Sequence, residues 1–231
     1  MTRLLFLHGM FCPPKSVVCR NCPLFASLED AGFEITTVQS PRTHSGPVPP
    51  VVFEIFPDLK SQESSLPEWY NAHDNDKNGT KRLDGLQDSL SFLKKFIADQ
   101  PPFDVIAGHS QGGQLAAILT LLMEDDDTFL LTGKMWKATL HMNSPNPFSN
   151  VETVGLHQKV ATHGKIKTPS VHVLGGSSDH TLEGSRAMLA EHYSDENVIV
   201  VHHDEGHFLP KDDRTCKQIA TALQQVLQNH I

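Results

Sequence analysis

Short apolar runs alternate with longer amphipathic stretches along the chain, which is the pattern of a protein in which strands and helices alternate. Apolar runs predict buried strands at 4–7, 33–38, 104–107, 137–142, 170–174 and 197–202. Helical spacing predicts helices over 23–32, over 81–100, from Gln111, over 182–193 and after Asp212 or Asp213. We therefore expect an α/β fold, with a mostly parallel, doubly wound sheet flanked by helices, in a single domain over 1–231.

Composition restricts the possible function classes. The chain has 231 residues, of which 39% are hydrophobic and 20% are charged, as in a globular protein with a sizeable core. Its formal net charge of −8, without a cluster of basic residues, argues against nucleic acid as a partner. No apolar stretch approaches the roughly 18 residues of a membrane span, and the first strand begins too early for a signal peptide. We therefore expect a cytoplasmic protein.

Four cysteines leave more than one interpretation open. Cys19 and Cys22 form a C-x-x-C pair with Cys12 nearby, which would suit a redox pair, or a zinc site if a second ligand pair existed at a usual spacing. Free structural thiols, with Cys216 among them, are the simpler interpretation. The 14 histidines form no H-E-x-x-H pattern, and the acidic run at 124–127 suggests a solvated patch. We therefore predict no metal and no cofactor.

A G-x-S-x-G motif joins the predicted strand at 104–107 to the helix after it. The motif is Gly108-His109-Ser110-Gln111-Gly112. In this spacing the serine stands on a strained turn with its hydroxyl exposed, and the glycines let the backbone approach closely. The helix directs its first N–H groups and its dipole at the serine, which favours developing negative charge. Ser110 is therefore the candidate nucleophile, and a glycine-rich turn with a bystander serine is the alternative.

A serine hydroxyl needs a base within hydrogen-bonding distance, and the base needs an orienting acid. Asp179 follows the predicted strand at 170–174, and His207 follows the one at 197–202. Nucleophile, acid and base then occur in the order expected of α/β-hydrolases. The backbone N–H groups of Met10 and Gln111 are candidates to bind the oxyanion, and hence the substrate.

Other residues compete for these roles. Asp204 is a rival acid, but it lies three residues from His207 in the same loop. His202 and His203 are rival bases at the end of a strand. The predicted acid could instead only cap the helix that follows it. His109 neighbours the serine, but we expect its side chain to point away from the site.

Residues 40–80 lack a clean period, and prolines recur through them. So long a connection is usually functional or disordered, and we expect an irregular loop over the active site. Phe53, Ile55, Phe56 and Trp69 are candidates to line an acyl pocket. A plain surface excursion with one buried tryptophan explains the pattern equally well.

The sequence resembles the fungal "family of serine hydrolases" and its animal ovarian-tumour-associated esterase relatives. The matching stretches span nearly the whole chain and are 7–10, the Pro-rich loop ending in Trp69, 103–113, 175–179 and 206–210. The resemblance implies a small α/β-hydrolase without a separate cap domain, which cleaves carboxylic esters or thioesters without a cofactor. It implies nucleophile, acid and base at Ser110, Asp179 and His207. Family members usually have phenylalanine at the position of His109 and glycine at that of Glu205.

We predict a serine hydrolase of the carboxylesterase type, which cleaves a small-molecule acyl ester through an acyl-enzyme. Three alternatives remain open. The first is an acyl thioesterase that releases a carrier-bound acyl chain, and the second is a non-catalytic ligand receptor of the same fold. The third is a thiol-based redox protein that uses Cys19 and Cys22. The acyl chain, the leaving group and the oligomeric state are not encoded in any recognisable motif.

Overall fold

Six parallel strands form the central sheet among the residues that the computed structural model describes, which are 1–12, 22–55, 57–75, 80–125, 135–149 and 156–228. The strands are β1 (Thr2–Leu7), β2 (Phe33–Val38), β3 (Arg42–Thr43), β4 (Pro67–Glu68), β5 (Asn71–Asn75), β6 (Thr80–Asp84), β7 (Val105–His109), β8 (Ala138–Met142), β9 (Ser170–Leu174) and β10 (Val198–His202). The α-helices are α1 (Pro23–Asp30), α2 (Pro50–Ile55), α3 (Leu86–Ala98), α4 (Gln111–Asp125), α5 (Leu156–His163), α6 (Leu182–His192) and α7 (Asp213–Gln228). Two 3-10 helices span Pro57–Ser65 and Asp195–Asn197.

The strand order brings the carboxyl ends of β1 and β7 together. The order is β10-β9-β8-β7-β1-β2, and every neighbouring pair in this sheet is parallel. From β1 the chain moves to one side to form β2, and later crosses to the other side of β1 to form β7. The β1–β7 pair is therefore the point at which the winding direction reverses. In open α/β sheets, ligands bind at such a point, beside the carboxyl ends of the strands.

Helices cover both faces of the sheet, which is why its strands appear in the sequence as nearly continuous apolar runs. On one face, Leu5, Leu7 and Ile106 pack with apolar residues of α3 and α4. On the other face, Leu4 and Phe6 pack with apolar residues of α1 and α7. This arrangement confirms the predicted α/β class with a parallel, doubly wound sheet.

The helix predicted over 81–100 begins later than expected. Residues 80–84 form β6, which pairs antiparallel with β5. Helix α3 starts only at Leu86, after Gly85 with its φ of 83°. Leu83 is buried as part of the strand, so it matched the apolar period of the helix without belonging to it. None of the helices in the described ranges is both long and apolar enough to cross a bilayer.

The segment between β2 and α3, predicted as an irregular loop, contains short regular elements. Strand β3 pairs with β4, α2 lies between them in the chain, and β5 and β6 form a hairpin. Trp69 is fully buried and its ring stacks on that of His8, with 4.8 Å between centroids, so it belongs to the core and not to an open acyl pocket. Phe53 packs against a small apolar cluster of Val48, Leu59 and Leu66. The side chain of Ile55 and all of Phe56 lie outside the described residues.

The acidic run at 124–127 is not simply a solvated patch, because Glu124 is largely buried. Its carboxylate accepts hydrogen bonds from the backbone N–H and hydroxyl of Thr168 and from the backbone N–H of Lys167, and it lies 2.9 Å from Nε2 of His163. Burial raises the pKa of Glu124, but these hydrogen bonds bring it below its usual value. Glu124 therefore ties the end of α4 to the segment before β9. Residues 126 and 127 lie outside the described part.

The cysteines that the structure describes form no disulfide with one another. Cys22 and Cys216 are buried, and Cys12 is half-buried. Burial raises the pKa of Cys216 to about 12, which keeps this thiol protonated and unreactive. Cys19 lies outside the described residues, so the C-x-x-C alternative stays a prediction.

Candidate active site

Ser110 stands on a sharp turn between β7 and α4. Its φ of 52° lies in the left-handed region, which is strained for serine and for most residues other than glycine. A Cβ at Gly108 would lie 2.3 Å from the carbonyl carbon of Gly112, and a Cβ at Gly112 would lie 2.1 Å from the carbonyl oxygen of Leu7. The motif therefore requires both glycines. The turn is held by the N–H of Ser110, which donates to the carbonyl oxygen of Met142 at 2.9 Å.

Ser110, His207 and Asp179 form a continuous chain of hydrogen bonds. Oγ of Ser110 lies 2.9 Å from Nε2 of His207, and Nδ1 of His207 lies 2.9 Å from Oδ1 of Asp179. With the proton on Nδ1 donated to the carboxylate, Nε2 accepts the hydrogen bond of the serine hydroxyl. Ser110 follows β7, Asp179 follows β9 and His207 follows β10. The side chains predicted from the sequence as nucleophile, acid and base thus meet at one edge of the sheet.

The carboxylate of Asp179 is buried and well supplied with donors. Oδ2 accepts from Nδ2 of Asn143 at 2.7 Å, and Oδ1 accepts from the backbone N–H and the hydroxyl of Thr181 at 2.9 and 2.8 Å. Burial raises the pKa of Asp179, but these hydrogen bonds and the nearby His207 bring it below its usual value. Asp179 is therefore charged at neutral pH, as a partner for an imidazolium must be.

His207 lies between two other histidine rings. Burial lowers its pKa, an effect that the charge of Asp179 opposes in part. The ring centroid of His180 lies 4.5 Å away and that of His109 5.1 Å away. The expectation that His109 points away from the site is therefore wrong. Its ring fits here because position 9 is glycine, where a Cβ would lie 2.9 Å from Nδ1 of His109.

The rival residues lie outside this chain of hydrogen bonds. Asp204 and His202 are exposed at the surface. His203 is buried, and its Nε2 lies 3.2 Å from Oδ1 of Asn143. The ring of His203 thus contacts Asn143, whose side chain donates a hydrogen bond to Asp179.

Met10 and Gln111, the predicted sources of oxyanion-binding N–H groups, follow the adjacent strands β1 and β7. Gln111 is the first residue of α4, where backbone N–H groups have no partner within the helix. Its buried side chain accepts the N–H of Trp69 and donates to the carbonyl of Tyr70, both at 2.8 Å. Phe11, directly after Met10, has a φ of 64° and donates its N–H to the first carbonyl of β4 at 2.8 Å. The segment 67–70 therefore contacts both the residue after Met10 and the side chain of Gln111.

Asp179, His180 and His207 are the candidates for metal ligands in the described part of the chain. One ligand atom from each lies within 4.8 Å of the others. However, Oδ1 of Asp179 and Nδ1 of His207 already bond to each other. The arrangement is that of a proton-transfer pair, and a metal ion would have to break it.

The strand order and the strained serine turn together define the α/β-hydrolase class. Within this class, the sequence model of a family described as "Serine hydrolase (FSH1)" matches residues 1–219. The chain therefore belongs to this family of serine hydrolases, and the resemblance found in its motifs is confirmed.

Two relatives and one solved structure illustrate the likeness. The chain is 25% identical over 187 residues to Esterase GA18864 of Drosophila pseudoobscura pseudoobscura, which covers 75% of this chain and 58% of that protein. It is 26% identical over 132 residues to Esterase OVCA2 of Xenopus tropicalis, covering 57% and 52%. The chain thus spans just over half the length of these relatives. The crystal structure of Zea mays acyl-protein thioesterase 2 has the same fold, with 15% identity, a TM-score of 0.55 and coverage of 96% and 94%.

Two residues that contact the acid were missed in the sequence. Asn143 and Thr181 both donate to Asp179. Asn143 follows β8, the strand beside that of the nucleophile, and Thr181 lies two residues after the acid. A polar residue directly after a buried strand was the available signal. However, the strand order decides which other strand ends such a residue lies beside, and the sequence pattern does not define that order.

Proposed function

We propose that this protein hydrolyses carboxylic esters through an acyl-enzyme formed on Ser110. The observation that carries the proposal is the chain from Oγ of Ser110 through His207 to Asp179, with both contacts at 2.9 Å. Membership of a serine hydrolase family supports it. The substrate is a small-molecule acyl ester, and the lack of a disulfide among the described cysteines agrees with a reducing cytoplasm.

In the first half-reaction, His207 acts as general base. The hydroxyl proton of Ser110 moves to Nε2 while Oγ forms a bond to the ester carbonyl carbon. Asp179 stabilises the imidazolium and keeps the proton of Nδ1 in place. The tetrahedral intermediate then loses the alcohol oxygen, which takes the proton from Nε2.

The second half-reaction repeats these steps with water. Nε2 takes a proton from the water molecule as its oxygen attacks the acyl carbon, and the proton then returns to Oγ of Ser110 as the acid leaves. In both halves, negative charge develops on the former carbonyl oxygen. The N–H groups of Met10 and Gln111 are proposed to bind it, each contributing about 3 kcal/mol in the transition state.

An acyl thioesterase would use the same residues and the same steps, with a thiol as leaving group. The solved thioesterase of the same fold makes this the nearest second candidate. A non-catalytic receptor would not need the proton-transfer geometry at Ser110. Hydrolysis rates on an ester and a thioester that carry the same acyl chain distinguish an esterase from a thioesterase.

The test measures hydrolysis of p-nitrophenyl esters of increasing chain length, together with the matched thioester. Ser110→Ala should lower kcat by about 10⁶-fold, as in other serine triads. Ser91→Ala, which changes an exposed serine on α3, is the matched control and should keep the wild-type rate. A Ser110→Ala protein as active as this control would contradict the proposal.

A further inference from the structure

A buried asparagine joins the two loops that carry Asp179 and His207. Asn143 follows β8 and has no exposed surface. Its Nδ2 donates one hydrogen to Oδ2 of Asp179 at 2.7 Å and the other to the carbonyl oxygen of Gly206 at 2.8 Å. Gly206 directly precedes His207. One amide group therefore holds both the acid and the chain that carries the base.

His203 determines which way this amide points. Its Nε2 lies 3.2 Å from Oδ1 of Asn143, and its Nδ1 accepts the N–H of Glu205 at 3.4 Å. Because Nδ1 is an acceptor, the neutral ring carries its proton on Nε2 and donates it to Oδ1. Burial lowers the pKa of His203 and so favours this neutral form. The amide oxygen is thus committed to His203, and the amide hydrogens face Asp179 and Gly206.

The backbone around the amide is shaped to fit it. Asn143 has a φ of 48°, a left-handed conformation that asparagine tolerates better than most residues. Gly175, after β9, leaves the necessary space. A Cβ there would lie 2.7 Å from Nδ2 of Asn143, 2.7 Å from Cβ of Asp179 and 2.5 Å from the carbonyl oxygen of Gly206. Any larger residue at 175 would displace all three groups.

We propose that Asn143, oriented by His203, is the positioning residue of the Asp179–His207 pair, an inference that rests on the proposed function. Asn143 donates to the carboxylate oxygen that His207 does not use, so the carboxylate plane is fixed for the contact with Nδ1. Its second hydrogen bond holds the turn at Gly206, which sets the distance from Nε2 to Ser110. Asn143 thereby acts on the reacting atoms through other residues and does not touch substrate.

Loss of the amide has an electrostatic as well as a geometric consequence. A carboxylate with fewer hydrogen-bond donors attracts the imidazolium more strongly, so the pKa of His207 rises. The charged or titratable groups facing His207 are Asp179, His180 and His109. Asn143→Gly substitutes none of these three residues, so a shift in the pH profile reports the loss of the amide.

The first test is Asn143→Gly, because glycine accepts the left-handed backbone while removing the amide. We expect kcat to fall about 10- to 100-fold, the usual effect of losing a hydrogen bond to a charged group. KM should stay within about threefold, because the amide acts on the chemical step. The acidic limb of kcat/KM should move to higher pH. Thr120→Val is the control for the loss of a buried hydrogen bond. It removes the hydroxyl in α4 that accepts the hydrogen bond of Trp136 Nε1, and it should keep kcat.

A kcat unchanged in fully folded Asn143→Gly would overturn the proposal. A loss that only follows the folded fraction, as in the control, would overturn it equally. An active Ser110→Ala protein would instead contradict the proposed function, so the two failures are distinguishable.

A second pair of variants tests the orienting role and does not depend on the folding of Asn143→Gly. His203→Gln keeps an N–H donor for Oδ1 of Asn143, whereas His203→Ala removes it. We expect the glutamine variant to keep most of the wild-type kcat and the alanine variant to lose about tenfold. Equal kcat values in the two variants would overturn the role of His203.

Discussion

At the residue scale, reactivity at Ser110 depends on a histidine that is neutral and an aspartate that is charged at neutral pH. Burial lowers the pKa of His207, so its Nε2 is free to accept a proton. The pKa of Asp179 is also below its usual value, despite burial, because Asn143 and Thr181 donate to it. A neutral base beside a charged acid is the resting state that general-base catalysis requires.

The pH profile of kcat/KM tests this charge state. Activity requires neutral His207 and is lost as the pH falls through its pKa. Because that pKa lies below the ordinary value of about 6.5, the rate should fall to half of its maximum at a pH below 6.5. Rates measured on demonstrably folded protein at constant ionic strength give the apparent pKa. A value clearly above 6.5 would contradict a lowered pKa of His207.

Asp179→Asn tests the orienting role of the carboxylate. The amide keeps the shape of the acid but allows the wrong imidazole tautomer, so kcat should fall by about 10⁴-fold with little change in KM. Asp195→Asn, at an almost fully exposed position, is the matched control and should leave kcat unchanged. A mild effect of Asp179→Asn would mean that another group orients His207.

The proposed nucleophile, acid and base could be located from the sequence because each follows a predicted strand, at its end or in the loop after it, in a recognisable order. Asn143 could not, because its role requires β8 to lie between β7 and β9, and strand order leaves no trace in apolar periodicity. The prediction that the side chain of His109 points away from the site was wrong for a similar reason. Its ring occupies space left by Gly9, which lies just after a different strand, β1.

At the element scale, the serine turn depends on close contact between β1 and the start of α4. A Cβ at Gly112 would lie 2.1 Å from the carbonyl oxygen of Leu7, so the helix would have to move away from the sheet. Because backbone atoms cannot rotate aside as a side chain does, the whole turn would shift. Stability and activity should therefore both depend on this position.

Gly112→Ala should lower the free energy of unfolding by about 3 kcal/mol and also lower kcat, because the turn holds Ser110. Gly164→Asn is a control at an exposed position after α5. Gly164 has a φ of 80° and nothing within 4 Å of an added Cβ, and asparagine tolerates that backbone. Urea unfolding of both variants gives the comparison. Equal stability of the two would show that the helix accommodates the methyl group.

Helix α3 shows what apolar spacing can and cannot define. The core-facing positions were identified correctly, including Leu83 and Leu86, but the first of these lies in a strand. Gly85, with its left-handed backbone, separates the two elements. A buried position carries the same residue type in either element, so the boundary depends on the pairing of β6 with β5, which is a contact with another part of the chain.

At the scale of the whole molecule, buried neutral histidines link stability to pH. His8 and His141 are almost fully buried, and burial lowers the pKa of each to about 4. His172 is buried beside His141, and its pKa is also well below the ordinary value. In the unfolded chain these rings take up protons near pH 6.5, whereas in the folded protein they do not. The unfolded state therefore binds more protons between about pH 4 and 6.5.

Stability should be constant above about pH 6.5 and fall as the pH decreases toward 4, with a loss of roughly 4 kcal/mol between pH 7 and 5 from His8 and His141 together. Urea unfolding at a series of pH values measures it. His141→Gln should reduce the slope, whatever its effect on the stability at pH 7. Ser91→Ala, at an exposed position that does not titrate, should not change the slope. A wild-type stability independent of pH in this window would contradict neutral burial.

Activation of Ser110 by His207 is tested most directly by covalent labelling with a fluorophosphonate, followed by peptide mass spectrometry. We expect one label per chain, located on Ser110, with no label in Ser110→Ala and much slower labelling in His207→Gln. A label on another residue, or equal labelling rates in wild type and His207→Gln, would contradict the activation of Ser110 by His207.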